Sequence, residues 1–248
     1  MRPRLLISND DGIDSPFLPT FARELSNIAD IVIVVPADEQ SWIGRAYSRH
    51  KKLSLKKRDF FNFEAYTVDG TPSDCVNIAL CHVCPEVDGV VSGINIGQNV
   101  GLPLLWSSGT FSAAAEGASF GFRAFAFSMR LERQFYEECR IYHRMPKGHL
   151  QYNLEQASQK AAEYVKKYVE EPNEQGIVHN VNFPILYTKE TQFKECSPAR
   201  AMSAPLYEKK DGFYCFKYAI RPIENTSLTD IECLDSGCAC YSKINIWK

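Results

Sequence analysis

Short apolar runs alternate with amphipathic stretches along the first three quarters of the chain. Two runs, Leu5–Ser8 and Ile31–Val35, are almost wholly apolar, and the second is mostly β-branched. Such runs are typical of strands covered on both faces of a sheet. Between them, apolar residues recur at helical spacing over 17–28, and Ser15 and Pro16 suit the N-cap and first position of that helix.

The alternation continues to residue 181. The same pattern predicts strands over 87–91, 124–127 and 177–181, and helices over 73–83, 111–119 and 154–168. Strands that alternate with helices form right-handed βαβ units, which build a parallel sheet. The predicted fold class is therefore α/β, a Rossmann-like three-layer sandwich with a mostly parallel sheet.

The pattern changes near residue 184. Four prolines interrupt the second part, at positions 184, 198, 205 and 222, and residues 213–220 read as an isolated strand. We therefore predict a Rossmann-like core over 1–183 and a smaller, irregular β-rich lobe over 184–248.

The composition and charge exclude several classes of protein. Hydrophobic residues make up 45% and charged residues 23%, which excludes a disordered chain, a collagen and a coiled coil. The net charge of −2 gives no overall attraction to a nucleic-acid polymer or an anionic membrane. The apolar run before Ser8 is too short for a signal peptide. We expect a cytoplasmic protein.

Nine cysteines are present, and two close pairs stand out. Cys81 and Cys84, together with Cys238 and Cys240, could supply four zinc ligands. However, Cys81 falls in a helical stretch, and the second pair would share one face of a strand. Free buried thiols are the favoured interpretation.

Oxygen-bearing side chains follow three of the predicted strands. Asp10 and Asp11 come directly after the first strand. Ser41 ends the loop after the second, and Asn95 lies in a glycine-containing loop after a third. Because parallel strands end at one edge of a sheet, ligands bind there, and oxygen ligands favour Mg²⁺, Mn²⁺ or Ca²⁺ over zinc. An ordinary strand-to-helix loop, where Asp and Asn are common, is the alternative for the aspartate pair.

A candidate anion site precedes the small-residue helix predicted over 111–119. Ser108 and Thr110 flank Gly109 there, and hydroxyls and backbone amides at a helix N-terminus bind anions. A plain helix cap would use the same residues. Taken with the oxygen-rich loops, the segment indicates phosphate ester chemistry.

Five ordered motifs resemble the SurE family of metal-dependent nucleotide phosphatases. In chain order they are Ile7–Gly12, Pro36–Ser41, Gly70–Val76, Ser92–Asn99 and Ser108–Gly117, with a weaker match at Thr229–Asp230. The resemblance is dense over about the first 130 residues and thin beyond them.

The resemblance implies hydrolysis of nucleoside 5′-monophosphates, in some members also of 3′-monophosphates and polyphosphate. It implies one divalent cation per subunit, Mg²⁺ or Mn²⁺, held by Asp10, Asp11, Ser41 and Asn95, with the two aspartates as catalytic residues. The residues it implies around the phosphate are Asn9, Asn99, Ser108, Gly109 and Thr110. It further implies a homodimer or a tetramer, with the lobe over 184–248 taking part in dimerisation.

One departure from the family concerns the substrate entrance. Trp42 follows Ser41 where the family commonly has a small residue, so we expect the entrance to be reshaped.

We expect water, polarised by the cation, to attack phosphorus in line, and one aspartate to accept its proton. A covalent aspartyl-phosphate is the rival route. A non-catalytic nucleotide-binding regulatory protein is the main alternative class. A haloacid-dehalogenase-type phosphatase would need two aspartates separated by one residue, whereas Asp10 and Asp11 are adjacent.

Two further features have ordinary interpretations. Seven Lys or Arg residues and no acidic ones lie between 45 and 58. They could attract anionic nucleotides, but a solvated hairpin with a charged edge is favoured. His179 lies in an apolar strand and is interpreted as a buried histidine with a hydrogen-bond partner.

Overall fold

The computed structural model describes residues 2–146 and 148–248. Its strands are β1 (Arg4–Ser8), β2 (Asp30–Pro36), β3 (Leu55–Phe60), β4 (Phe63–Val68), β5 (Gly89–Ile96), β6 (Arg123–Met129), β7 (Ile177–Phe183), β8 (Phe193–Glu195), β9 (Ala201–Ser203), β10 (Tyr207–Lys210), β11 (Phe213–Phe216), β12 (Ile220–Pro222) and β13 (Ala239–Asn245). Its helices are α1 (Leu18–Ser26), α2 (Pro72–Ile78), α3 (Leu102–Leu105), α4 (Gly109–Ser119), α5 (Arg133–Arg140), α6 (His149–Glu170) and α7 (Asp230–Asp235), and a π-helical turn over Ala79–Val83 extends α2.

One sheet organises the fold, in the strand order β3-β4-β2-β1-β5-β6-β7-β13-β8. The strands from β4 to β7 in this order run parallel, and β3 and β13 pair antiparallel with their neighbours β4 and β7. Helices α1 and α6 pack together over one face, and α2 and α4 over the other. The predicted α/β class with a mostly parallel sheet is confirmed.

The apolar run in β1 follows from this three-layer arrangement. Leu5 and Ile7 are fully buried in the core beneath α1 and α6, while Leu6 is fully buried in the core beneath α2. Alternate residues of a strand face opposite sides of the sheet, so each of these three central positions of β1 needs an apolar side chain. Each such burial contributes about 1.5–3 kcal/mol, which fixes the strand that carries the polar loop after it.

The predicted start of the first helix is wrong. Residues 12–17 fold into consecutive turns, and α1 begins at Leu18 with Phe17 as N-cap and a proline in its first turn. That proline is Pro19, which occupies a position where a helix has no use for a backbone N–H. Pro16 lies in the preceding turn, and Ser15 accepts a backbone hydrogen bond from Leu18 there.

The part after residue 184 contributes both to the main sheet and to separate hairpins. β13 lies between β7 and β8 in the main sheet, although both β8 and β13 lie beyond the predicted boundary at 183. β10 pairs with β11, and β9 pairs with β12. The single strand expected over 213–220 is wrong, because β11 ends at Phe216 and β12 begins at Ile220. The division into two domains stays a prediction.

The last part of the basic stretch between 45 and 58 forms the predicted hairpin edge, and its other four basic residues lie in the loop before β3. β3 is an edge strand of the sheet, and its three basic residues are exposed. Charged residues on an edge strand discourage pairing with other chains. Arg45 differs from the others because it forms a 2.8 Å ion pair with the buried Glu116 of α4.

All nine cysteines are free, and six of them are buried. Within 2–146 and 148–248, no three or more His, Cys, Asp or Glu side chains form a group that could hold a metal ion. In that same part of the chain, no helix is both long enough and apolar enough to cross a bilayer.

Candidate active site

The site lies at the carboxyl end of β1, where the strand order changes direction. β1 lies between β2 and β5. The chain passes from β1 to β2 on one side, and after β4 it crosses to β5 on the other side. Ligands of open α/β sheets bind at such a point. Asp10, Ser41 and Asn95 line one cavity of about 530 Å³ there, although they come from three separate segments. The expectation that these segments meet at one sheet edge is confirmed.

Asp10 is held in place by the start of α4. Its side chain is buried, and its Oδ1 accepts a 2.6 Å hydrogen bond from the Thr110 hydroxyl. Its backbone carbonyl accepts a 2.8 Å hydrogen bond from the Gln40 amide, which joins the loops after β1 and β2. Gly109 is required beside it, because a Cβ at that position would lie 2.6 Å from the Cβ of Asp10.

Asp11 has one oxygen that is engaged and one that is not. Its Oδ2 accepts a 3.1 Å hydrogen bond from the Ile96 amide at the end of β5. Its Oδ1 is buried and has no hydrogen-bond partner among the described residues. The nearest cation is Arg140, whose Nε lies 4.0 Å from Oδ1.

Burial raises the pKa of both carboxyl groups. For Asp11 the charge of Asp10 adds to burial and raises the pKa to about 7, while the guanidinium of Arg140 opposes the shift. Two carboxylates that are withdrawn from water and repel each other would be stabilised by a cation between them.

The residues present fit a hard divalent cation. The unpartnered Oδ1 of Asp11 is an available anionic ligand. The side-chain amide nitrogen of Asn95 donates a 2.8 Å hydrogen bond to the Gly97 carbonyl. The side-chain carbonyl oxygen of Asn95 is left as an acceptor at the cavity. Ser41 lines the same cavity and is hydrogen-bonded to Arg140. Carboxylate, amide and hydroxyl oxygens are the ligand types of Mg²⁺ and Mn²⁺.

The expected phosphate-binding residues divide into two groups. Asn99 and Ser108 line the cavity. Ser108 is the N-cap of α4, and its hydroxyl accepts a 3.0 Å hydrogen bond from the Phe111 amide. Asn99 is positioned by β7, since its backbone amide donates to Asn182 at 2.8 Å.

Asn9, Gly109 and Thr110 are placed behind the cavity wall. Asn9 uses both polar atoms of its side chain on Gly12, at 2.9 and 3.0 Å. The side chain of Thr110 is fully buried against Asp10. These contacts shape the loop and orient the carboxylate, and the arrangement gives no support to a direct phosphate contact by the side chains of Asn9 and Thr110.

Sequence reasoning missed the residues that close the cavity. Arg140 and Tyr136 come from α5, and Arg130 follows β6. Phe216 and Tyr218 come from the hairpin region after β10. None of these residues belongs to a motif, and α5 shows only the exposed, amphipathic pattern of a surface helix.

Trp42 forms an aromatic wall with the two missed hairpin residues. Its ring centroid lies 4.7 Å from that of Phe216 and 6.2 Å from that of Tyr218, in edge-to-face geometry. Edge-to-face contacts of this kind are favourable. The expectation that Trp42 reshapes the entrance agrees with its place in the cavity lining.

Two of the resembling motifs have structural roles. Thr71 and Asp74 form a capping box that starts α2. Asp230 is buried and accepts hydrogen bonds at 2.8 Å from the amides of Gly101 and Ala199. It thereby fixes the segment that leads from Asn99 to α3.

Comparisons with known proteins identify the family of this chain. The family model described as survival protein SurE matches residues 5–205. The 5′-nucleotidase SurE of Halobacterium salinarum is 44% identical over 140 residues, which cover 56% of this chain and 52% of that protein. The 5′-nucleotidase SurE of Deinococcus radiodurans is 45% identical over 130 residues, covering 51% and 48%. The chain thus spans about half the length of the curated relatives it matches.

A solved structure extends the match over the whole fold. The crystal structure of the SurE protein from Aquifex aeolicus gives a TM-score of 0.77 at 26% identity, and the alignment covers 98% of this chain and 93% of that one. The chain belongs to the SurE family.

Proposed function

We propose that this chain is a metal-dependent 5′-nucleotidase that hydrolyses nucleoside monophosphates to nucleoside and phosphate. The observation that carries the proposal is one cavity with the Asp10 carboxylate and the α4 N-terminus at one part of its wall and an aromatic wall at another. The first part suits a phosphate beside a cation, and the second suits a nucleobase. The names of the related proteins from Halobacterium salinarum and Deinococcus radiodurans support the same activity.

Asp10, Asp11, Ser41 and Asn95 would hold one Mg²⁺ or Mn²⁺. When bound, such an ion supplies charge neutralisation at a phosphate oxygen and activates water. Thr110 fixes the orientation of Asp10, and the Ile96 amide fixes Asp11. One of the two aspartates would accept the proton of the attacking water.

Ser108 and Asn99 would contact the phosphate. The backbone amides at the start of α4 point along the helix axis, and a helix N-terminus favours negative charge. Donors held in place before the reaction stabilise charge as it develops on phosphate oxygens.

We also propose that the chain works as a cytoplasmic homodimer. Support for the dimer comes from the hairpin of β10 and β11, where Phe213 and Tyr214 are 75% and 72% exposed. Exposed aromatic side chains on a projecting hairpin are typical of a surface that another chain covers.

The proposal is tested by phosphate release from a panel of nucleoside 5′- and 3′-monophosphates, with added Mn²⁺ or Mg²⁺ and with a chelator. We expect release from 5′-monophosphates that requires the metal. Tight nucleotide binding without any phosphate release would instead support the non-catalytic alternative.

A further inference from the structure

An arginine from α5 reaches the carboxylate pair. The Arg140 side chain is only 14% exposed, and it contacts Glu39, Ser41 and Asp11 from the opposite side of the cavity. α5 itself is anchored by the fully buried Cys139 and is otherwise mostly exposed. The helix therefore presents one cation to a site built from loops of the central sheet.

Tyr136 lies one helical turn before Arg140 on α5 and contacts its guanidinium. Arg140 donates a 2.5 Å hydrogen bond to the Tyr136 hydroxyl, and its guanidinium carbon lies 5.1 Å from the centre of the ring. These contacts leave the planar group oriented towards the cavity that Ser108 and Asn99 also line.

The negative charges of the two aspartates and the substrate phosphate exceed the charge of one divalent ion. Two carboxylates and a phosphate dianion carry four negative charges, and a divalent ion neutralises two of them. The other arginine in the lining, Arg130, contacts Gln98 and forms a 2.8 Å ion pair with Asp235. Arg140 is paired with Glu39, and it also contacts Ser41 and Asp11 of the candidate metal site. Arg140 is the arginine of the lining that is directed at the carboxylates.

We propose that Arg140 binds the phosphoryl group of the substrate. A divalent ion bound to Asp11 and Ser41 would neutralise the carboxylate and occupy the oxygen lone pairs that Arg140 contacts. The guanidinium then turns to the phosphate oxygens, which it can contact through two N–H groups at once. This inference rests on the proposed function and adds a residue that lies outside every motif of the family resemblance.

The test compares Arg140→Gln and Arg140→Lys with a matched control, Arg133→Gln, which removes the same charge from an exposed position of α5. Calorimetry measures the binding of inorganic phosphate in the presence of Mn²⁺, and electron paramagnetic resonance measures Mn²⁺ binding without phosphate. Circular dichroism verifies the fold of each variant.

We expect Arg140→Gln to weaken phosphate binding about tenfold or more, as for loss of a hydrogen bond to a charged group. Arg140→Lys should recover part of the affinity, and Arg133→Gln should bind as the wild type does. Mn²⁺ affinity without phosphate should be unchanged or higher in Arg140→Gln, because a competing cation has been removed.

Phosphate binding in Arg140→Gln equal to that of the control would overturn the inference and leave the proposed function intact. A loss of Mn²⁺ affinity in Arg140→Gln would also overturn it, because Arg140 would then position the metal ligands. A wild-type protein that neither binds phosphate nor hydrolyses nucleotides would instead remove the proposed function itself.

Discussion

The Thr110 hydroxyl and the Asp10 carboxylate are joined by a 2.6 Å hydrogen bond, although they lie 100 residues apart in sequence. Both side chains are buried. The contact connects the start of α4, where phosphate is proposed to bind, to the carboxylate proposed to hold the cation. Orientation of Asp10 therefore depends on the same helix that receives the substrate.

Replacement of Thr110 by Val should lower kcat about tenfold or more while the protein remains folded. The variant keeps the shape of the side chain but removes a donor to a charged group, which is worth about 1.5–3 kcal/mol. Steady-state kinetics with a nucleoside monophosphate measure the change. Thr110→Ser keeps the hydroxyl and should stay close to wild type, and equal activity of the Val and Ser variants would show that the hydrogen bond is dispensable.

The aromatic wall should recognise the base and not the phosphate. Trp42→Ala should raise KM for a nucleoside monophosphate about fivefold or more, since stacking of a base on an aromatic ring is worth about 1–3 kcal/mol. For a phosphate ester with a small aliphatic leaving group, KM should stay within about twofold of the wild-type value, because such a substrate leaves the wall uncontacted.

Phe61→Ala is the matched control for this prediction. Phe61 is 68% exposed at the turn between β3 and β4, and it does not line the cavity. Its removal should leave both substrates unaffected. A Trp42→Ala variant that loses affinity equally for both substrates would contradict a role in base recognition.

The sequence predicted the sheet and the loops that carry the carboxylates, for a physical reason. A strand covered on both faces is apolar on both, as Leu5, Leu6 and Ile7 of β1 are, so the polar loop after it is visible in the pattern. The topology of parallel strands then brings the loops with Asp10 and Ser41 to one edge.

The sequence could not predict the other wall of the cavity. Arg140 lies on a surface helix whose place depends on long-range packing around Cys139, and one arginine among many carries no local signal. Phe216 reaches Trp42 only because a hairpin folds back over the sheet edge.

His179 should make the protein less stable in mild acid. Burial lowers its pKa to about 4, with a further contribution from the charge of Lys243, while Glu174 opposes the shift. Its Nδ1 is 2.9 Å from the Tyr164 hydroxyl, and the ring of Tyr168 packs against it. The histidine interpreted as buried and partnered is confirmed as such.

The direction of the effect follows from proton uptake. The unfolded chain binds a proton near pH 6.5 and the folded chain only near pH 4, so the free energy of unfolding is unaffected above pH 6.5 and falls as the pH drops towards 4. The loss from this group amounts to up to about 3 kcal/mol. Denaturant unfolding at pH 7, 5.5 and 4 should show a smaller decline in His179→Gln than in the wild type, and parallel declines would contradict the assignment.

We propose that Asp10 and Asp11, with Ser41 and Asn95, hold one divalent cation beside the phosphate site. Titration of the wild type and of Asp11→Asn with Mn²⁺, followed by electron paramagnetic resonance, measures this directly. We expect one bound ion per chain in the wild type and an affinity lower by at least tenfold in Asp11→Asn, which keeps the side-chain shape but loses the anionic Oδ1. Equal Mn²⁺ binding by the two proteins, with both folded, would contradict it.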